Sequence, residues 1–221
     1  MCGNGILEVV ENDEECDDSN KVSGDLCDSN CRIEPIEIES EIDFILDTSF
    51  SMPFIHVDSV KKFLLKFIEK CNLDRVRIGI QVTGGRRTGL RMSKIINKIS
   101  SNNTNQDWNQ TLDNGILYLG NEPNLTNVAG RVLFGANFPT DSSKPMSVLI
   151  SASPPDSFPQ LESVLNNIRK LNHRLLLLAV GNDRHLGKSL GLFYDFQTVS
   201  IPHWDHLHRY LFDVVKFVNN S

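Results

Sequence analysis

The apolar residues of this chain recur with two different periods, which predict strands and helices in alternation. Continuous apolar runs are typical of strands buried on both faces. Four mainly apolar segments are predicted strands, at residues 42–46, 76–82, 146–150 and 174–180, and the longest continuous apolar stretch is residues 175–180. Apolar residues spaced three and four positions apart predict amphipathic helices. These stripes cover residues 60–71, 161–171 and 207–218.

Weaker signals lie between these elements. Residues 88–92 form a possible further strand, with Gly84 and Gly85 as the hairpin turn before it. Helical spacing also occurs near residues 112–119 and again through Val132 and Phe134. Strands alternating with helices of this length predict an α/β fold: a doubly wound, mostly parallel sheet with helices on both faces. Such folds place their sites beyond the carboxyl ends of the strands.

The first 34 residues have a different character, with turn residues and almost no apolar periodicity. They hold four of the five cysteines, Cys2, Cys16, Cys27 and Cys31. A segment this short cannot bury enough apolar surface to fold alone, so we expect a small disulfide-stapled N-terminal module with two disulfides in one of three pairings. A zinc site is the alternative, although only the last two cysteines are closely spaced. Disulfides imply an oxidising compartment.

Charge divides the chain at nearly the same place. Residues 1–43 carry 14 acidic and two basic residues, a balance of −12, while the rest of the chain carries +6. We therefore expect a module at residues 1–34, a linker at 35–40 and a domain at 41–221. The basic residues that give the domain its charge are Lys61, Lys62, Lys66, Arg75, Arg77, Arg86, Arg87 and Arg91. They suit a sulfated glycan or an anionic surface, the acidic module itself, or a solvated helix face.

The sequence DTSFS, residues 47–51, follows the first buried strand directly. It places the Asp47 carboxylate and the Ser49 and Ser51 hydroxyls at alternate positions beyond the strand end. Oxygen ligands of this kind suit a divalent cation. The alternative is a hydroxyl-rich turn that caps the first helix.

Other chemistries find less support. Gly187, Lys188 and Ser189 follow a strong strand, but residue 182 is Asn where a phosphate-binding loop requires Gly. The histidines of residues 203–208 follow Pro202 and lie beside Asp205, a combination that favours a surface helix start over a metal or acid/base cluster. No complete catalytic motif occurs, so we do not expect an enzyme.

From about residue 41 to its end the chain resembles a von Willebrand factor type A domain. The apolar strand before DTSFS resembles the family's opening DxSxS motif, and residues 125–127 resemble its threonine-bearing helix entry. Residues 147–151 resemble the family's fourth strand, and residues 177–181 its IGVG strand. The resemblance implies a metal-ion-dependent adhesion site that holds Mg²⁺ or Mn²⁺ and is completed by a partner's carboxylate.

Carried over by position, the ligands implied are Asp47, Ser49, Ser51 and Thr126. Ala152 stands where the family has a second aspartate, so the site implied is degenerate. Asp156 is the nearest acid beyond it, behind two prolines. We expect weak or ligand-assisted metal binding.

Residues 1–34 resemble a Myxococcus-type cysteine-rich repeat through CGNG, EECDDSN and GDLCDSNC. That family occurs in secreted or surface proteins. The acidic side chains of this segment suit Ca²⁺ or a solvated acidic face. They are Glu14, Glu15, Asp17, Asp18 and Asp25, with Asn20.

Together these features predict an extracellular or cell-surface adhesion domain that binds a protein or glycan partner, with no nucleic acid and no membrane insertion. A metal-independent interaction domain that uses the basic faces is the second hypothesis. No apolar run approaches the length of a membrane span, and Met1 leads straight into Cys2, so a secretory signal is absent or lies outside this chain. Sequons at Asn102, Asn109, Asn124 and Asn219 suit a glycoprotein.

Overall fold

Strands and helices alternate along the chain as the hydrophobic pattern predicts. The computed structural model describes residues 2–8, 14–87, 90–97, 107–116, 124–134, 145–155, 157–181, 191–193 and 195–220, with backbone alone for residues 84–87, 90–94 and 134. The strands within them are β1 (Ser40–Asp47), β2 (Val76–Arg87), β3 (Leu90–Asn97), β4 (Met146–Ser151), β5 (Arg174–Val180) and β6 (Gln197–Ile201). The α-helices are α1 (Val57–Glu69), α2 (Trp108–Gly115), α3 (Leu125–Phe134), α4 (Phe158–Lys170) and α5 (Leu211–Asn219). Short 3-10 helices lie at Phe54–His56, Gly191–Phe193 and Trp204–Tyr210.

One six-stranded sheet organises the fold, in the order β3-β2-β1-β4-β5-β6. Every neighbouring pair is parallel except β2 and β3. Strand β1 lies inside the sheet between β2 and β4, and all eight of its residues are buried. Because parallel strands end at the same edge, the carboxyl ends of β1, β4 and β5 meet there. The predicted fold class is confirmed.

Helices cover both faces of the sheet. Apolar residues of α1, α2 and α5 share one core with Phe44 and Leu46, while those of α3 and α4 share a second core with Ile45. This division follows from the alternation of side chains along β1. On the first face Phe44 meets Phe67 edge to face, with ring centroids 5.0 Å apart, and both rings are fully buried. Burial of one such ring stabilises the fold by about 1.5–3 kcal/mol.

The N-terminal cysteines form two disulfides, Cys2–Cys31 and Cys16–Cys27. This settles the pairing and shows the zinc alternative to be wrong. Cys16, Cys27 and Cys31 are buried in the same core as α1 and α5. The segment is therefore packed onto the domain rather than separated from it by solvent.

Polar contacts at the end of α1 hold this packing in place. The Lys70 ammonium donates to the Glu15 carboxylate at 2.6 Å and to the Ile33 carbonyl at 3.2 Å. The predicted linker contributes as well, because Ile36 pairs with Cys71 in a parallel bridge. The acidic segment thus does contact a basic side chain of the domain.

Two features of the sheet differ from the sequence prediction. Gly84 and Gly85 do not form the hairpin turn, because β2 continues through them to Arg87. The pairing of β2 with β3 shifts register between Thr83 and Arg86, and glycine is common at such irregularities. Strand β6 was not predicted, since its sequence, QTVSI, has no continuous apolar run.

The C-terminal apolar stripe also divides in two. It begins as the 3-10 helix Trp204–Tyr210 and becomes α-helical only from Leu211. Residues three positions apart, such as Leu207 and Tyr210, share a face in both helix types, so that spacing alone does not distinguish them.

A buried histidine at the amino edge of the sheet makes stability depend on pH. His173 lies within 2.9 Å of the Ser147 hydroxyl through Nε2, and burial lowers the pKa of His173 to about 4. An unfolded histidine titrates near pH 6.5, so only the unfolded state takes up a proton as the pH falls from there towards 4. We expect the free energy of unfolding to fall by about 2 kcal/mol from this group between pH 7 and pH 5.

Urea denaturation of the wild type and a His173→Gln variant at both pH values measures this contribution. Glutamine keeps a hydrogen-bonding group but does not titrate. Between pH 7 and pH 5 the free energy of unfolding of the variant should therefore fall by about 2 kcal/mol less than that of the wild type. Equal losses in the two proteins would contradict the assignment.

Candidate metal centre

Asp47 is the last residue of β1 and lies at the centre of the sheet's carboxyl edge. Leu46 pairs with Ile150 of β4, and Asp47 itself pairs with Thr83 of β2. Its side chain is buried, with 1% of the residue exposed. A buried carboxylate requires hydrogen-bond donors or a cation, because water no longer solvates it.

Four donors from the loop after β1, the carboxyl end of β4 and the loop after β4 surround the Asp47 carboxylate. One oxygen, Oδ1, accepts the Ser49 N–H at 3.1 Å. The other, Oδ2, accepts the hydroxyls of Ser51 at 3.0 Å and Ser151 at 2.7 Å, and also that of Ser153. The predicted residues Asp47, Ser49 and Ser51 are therefore in one cluster, together with two serines that the sequence reasoning did not include.

Three of the serine oxygens form a compact triangle. The distances are 2.9 Å from Ser49 Oγ to Ser51 Oγ, 2.9 Å from Ser51 Oγ to Ser153 Oγ, and 3.2 Å from Ser49 Oγ to Ser153 Oγ. Magnesium binds oxygen at about 2.0–2.1 Å with right angles between neighbours, which places adjacent ligand oxygens about 2.9 Å apart. The triangle therefore has the dimensions of one face of a magnesium octahedron. The donor set fits the cation that the fold resemblance implied.

The predicted fourth ligand, Thr126, lies in the first turn of α3. Asn124 caps this helix by accepting the Asn127 N–H at 3.2 Å, and the Leu125 N–H donates to the Pro154 carbonyl at 2.9 Å. The start of α3 is thus joined to the loop that carries Ser153. Within the described residues the buried Thr126 hydroxyl has no hydrogen-bond partner. A buried hydroxyl without a partner is costly, and a metal-bound oxygen or water would satisfy it.

Ala152 stands between the two serines of this loop and is partly buried. Ser151 and Ser153 both reach Asp47, whereas Ala152 packs against the core on the α1 side of the sheet. Side chains alternate along an extended segment, which explains the opposite directions. The position aligned with the family's second aspartate is therefore turned away from the cluster. Asp156 lies outside the described residues.

The spacing of Ser151 and Ser153 was the signal that sequence reasoning missed. Hydroxyls two residues apart at the end of a buried strand share one face, as Ser49 and Ser51 do after β1. The cluster that results has one carboxylate and several neutral hydroxyls, so it carries less negative charge than a site with two aspartates.

The acidic residues of the N-terminal module have structural roles in this fold. Asp17 accepts backbone N–H groups from Gly3 at 2.9 Å, Asn4 at 3.1 Å, Gly5 at 2.8 Å and Ser19 at 2.9 Å. Burial raises the pKa of Asp17, but the four N–H donors together lower it by more, and the net pKa lies below the usual value. The four donors account for most of the lone pairs that a Ca²⁺ ion would need.

The predicted basic face is only partly available. Lys61 lies 3.0 Å from the Asp113 carboxylate, and Arg77 lies 2.7 Å from that of Glu41. Lys62 and Lys66 are exposed on α1. The side chains of Arg86, Arg87 and Arg91 lie outside the described part of the structure.

The structure also bears on the predicted glycosylation sites and on membrane insertion. Asn124 is buried as the cap of α3, so it is not accessible as a glycan acceptor, whereas Asn109 is exposed on α2. Asn102 and the segment Gly187 to Ser189 lie outside the described residues. No helix in the described ranges combines the length and hydrophobicity needed to cross a membrane.

Comparison with known proteins identifies the fold through structure alone. No family model and no curated protein matches the sequence. Proximal thread matrix protein 1 from the mussel byssus superposes with a TM-score of 0.68 at 12% identity, over 84% of this chain and 49% of that one. This chain thus spans about half the length of the mussel protein.

Two other similar structures are described as metal-bound, and a third is described as a VWA domain. A second mussel structure, with a zinc-occupied MIDAS motif, gives a TM-score of 0.67 at 10% identity over 83% of this chain and 49% of that one. Manganese-loaded TRAP protein from Plasmodium vivax gives 0.57 at 12% identity, over 78% and 72%. The SpRpn10 VWA domain gives 0.60 at 12% identity, over 83% and 99%. From the sheet order and these superpositions, the chain has the von Willebrand factor type A fold.

Proposed function

We propose that this chain is an extracellular interaction domain that binds a protein partner through a divalent cation held at the Asp47 cluster. The observation that carries the proposal is the triangle of Ser49, Ser51 and Ser153 hydroxyls above one buried carboxylate. The neighbours with bound zinc and manganese support it. The two disulfides suit an oxidising, extracellular setting.

Each residue of the cluster has a distinct role in this proposal. The three serine hydroxyls hold the cation, Asp47 orients them and supplies the negative charge, and Thr126 contributes from α3. When bound, the cation supplies a positive centre for a carboxylate of the partner. Neutral hydroxyl ligands leave most of the cation's charge uncompensated, which favours an acidic partner group over a neutral one.

The surface beside the cluster is suited to a protein partner. Phe50 lies in the loop after β1, and Phe54 and Ile55 begin the 3-10 helix that follows it. These three side chains are 62%, 70% and 77% exposed. Single exposed apolar side chains are common on soluble domains, but several large ones close together in the chain are typical of interaction surfaces. The proposed interface therefore combines a polar centre with an apolar rim.

Metal titration tests the proposal directly. Thermal unfolding with increasing Mg²⁺ or Mn²⁺ should show a rise in Tm that EDTA reverses, because a ligand that binds only the folded state stabilises it by mass action. Ser51→Ala should weaken the metal affinity by about tenfold, the equivalent of about 1.4 kcal/mol. Ser163→Ala, at an exposed position of α4, is the matched control and should behave as the wild type.

Acetate, a simple carboxylate, then tests whether the bound cation has a coordination position open to a partner's carboxylate. In the presence of Mn²⁺, acetate should raise Tm further than chloride at the same ionic strength. If neither metal nor acetate changes Tm, the cluster is a hydroxyl-rich turn and the proposal is wrong. Partner binding that ignores EDTA but weakens with salt would instead favour the second hypothesis, a metal-independent surface that includes Lys62 and Lys66.

A further inference from the structure

A second group of metal-ligating side chains lies away from the Asp47 cluster. His56 comes from the turn before α1, whereas His203 and Asp205 come from the start of the 3-10 helix Trp204–Tyr210. His56 Nδ1 lies 3.0 Å from Asp205 Oδ1, and His203 Nδ1 lies 3.1 Å from Asp205 Oδ2. One ligand atom from each of the three residues lies within 4.8 Å of the other two. Two imidazoles thus present the same ring nitrogen to one carboxylate.

Local structure holds these three side chains in position. His56 is buried, and its ring meets the His203 ring edge to face with centroids 4.8 Å apart. The Ser59 hydroxyl donates to Asp205 Oδ1 at 3.4 Å. The His206 N–H donates to the His203 carbonyl at 2.9 Å and closes the turn. The side chains of His203 and Asp205 are 54% and 59% exposed, so one side of the group faces solvent.

The geometry is close to that of a zinc site. Zinc binds imidazole nitrogen and carboxylate oxygen at about 2.0–2.2 Å in a tetrahedron, which places neighbouring ligand atoms about 3.4 Å apart. The two Nδ1 atoms lie 3.0 and 3.1 Å from different oxygens of the Asp205 carboxylate, slightly less than this spacing, and one ligand atom from each residue lies within 4.8 Å of the other two. Each ring would carry its proton on Nε2, and the metal would replace the long hydrogen bond that His203 Nδ1 accepts from the Asp205 N–H at 3.4 Å.

We propose that His56, His203 and Asp205 form a zinc site with a fourth position open to water or to a side chain of a partner. The site shares no residue with the Asp47 cluster, and its two imidazole ligands favour zinc over magnesium. Zinc here would join the start of α1 to the C-terminal helical segment, 149 residues later in the chain.

Calorimetric titration with zinc tests the site in tag-free protein that carries Asp47→Asn, so that the serine cluster does not contribute. We expect one zinc ion per chain. His203→Ala should weaken zinc binding by about 100-fold or more, since loss of even an outer hydrogen-bond partner of a zinc ligand costs about 10- to 100-fold. His206→Ala is the matched control, because its ring centroid lies 6.4 Å from that of His203 and it is not one of the three ligands. It should leave the affinity unchanged.

Two results would overturn the proposal: no zinc binding by the Asp47→Asn protein, or equal affinities in the His203→Ala and His206→Ala variants. A thermal melt in EDTA shows whether each variant folds. If His203→Ala does not fold, imidazole NMR signals of the Asp47→Asn protein give the answer. Zinc should then shift the ring signals of His56 and His203 and leave those of His173 in place, and unchanged His56 and His203 signals would overturn the site.

Discussion

Ser153→Asp should raise the affinity of the Asp47 cluster for Mg²⁺ or Mn²⁺ by about 100-fold, the equivalent of about 3 kcal/mol. The Ser153 side chain already reaches the Asp47 carboxylate and the Ser51 hydroxyl, so a carboxylate at this position joins the cluster. One added negative charge about 4 Å from a divalent ion contributes up to about 8 kcal/mol at an effective dielectric of 20, and desolvation cancels much of it. Calorimetric titration with each metal measures the change.

Ala152→Asp is the informative comparison for this variant. The alignment of the fourth strand places the family's second aspartate at residue 152, whereas the structure directs that side chain towards the core and away from Asp47. We therefore expect little gain from Ala152→Asp. Without metal, Ser153→Asp should lower Tm, because two carboxylates then repel each other. A larger gain in affinity from Ala152→Asp than from Ser153→Asp would show that the loop rearranges around the metal and that the alignment is the better guide.

Removing the Cys16–Cys27 disulfide should destabilise the whole chain and not the N-terminal module alone. The double variant Cys16→Ala, Cys27→Ala loses a staple between two fully packed cysteines, and such a loss costs about 2–5 kcal/mol. Both sulfurs lie in the core that also contains α1. Urea unfolding followed by tryptophan fluorescence should therefore show one transition at lower urea concentration.

The control is Cys71→Ala, since Cys71 is a free, partly buried thiol next to the same contact. Burial raises the pKa of the Cys71 thiol, so it should not react readily with the remaining cysteines. Both tryptophans, Trp108 and Trp204, lie in the domain, so an unchanged fluorescence transition in the double variant would show that the domain folds independently of residues 1–34.

Most of the fold followed from local pattern. The strands at β1, β4 and β5 and the helices α1 and α4 lie within a few residues of their predicted positions, because buried runs and amphipathic stripes reflect burial directly. Strand β6 and the irregular path of β2 through Gly84 could not be predicted from the local pattern, because edge pairing and register depend on neighbouring strands.

The candidate site residues also include some that local sequence predicts and some that it does not. Asp47, Ser49 and Ser51 are close in sequence and lie on one turn, so their proximity could be predicted. Ser153 and His56 meet their partners across 106 and 149 residues, and no local signal links them.

The sequence by itself determined the alternation of strands and helices, the hydroxyl-bearing end of the first strand and the disulfide-stapled segment, because each depends on the spacing of nearby residues. Tertiary structure alone decided three other matters. It chose the disulfide pairing, turned Ala152 away while bringing Ser153 to Asp47, and placed His56 beside Asp205. These depend on how the sheet brings distant loops to one edge, where a shift of one residue reverses the direction of a side chain.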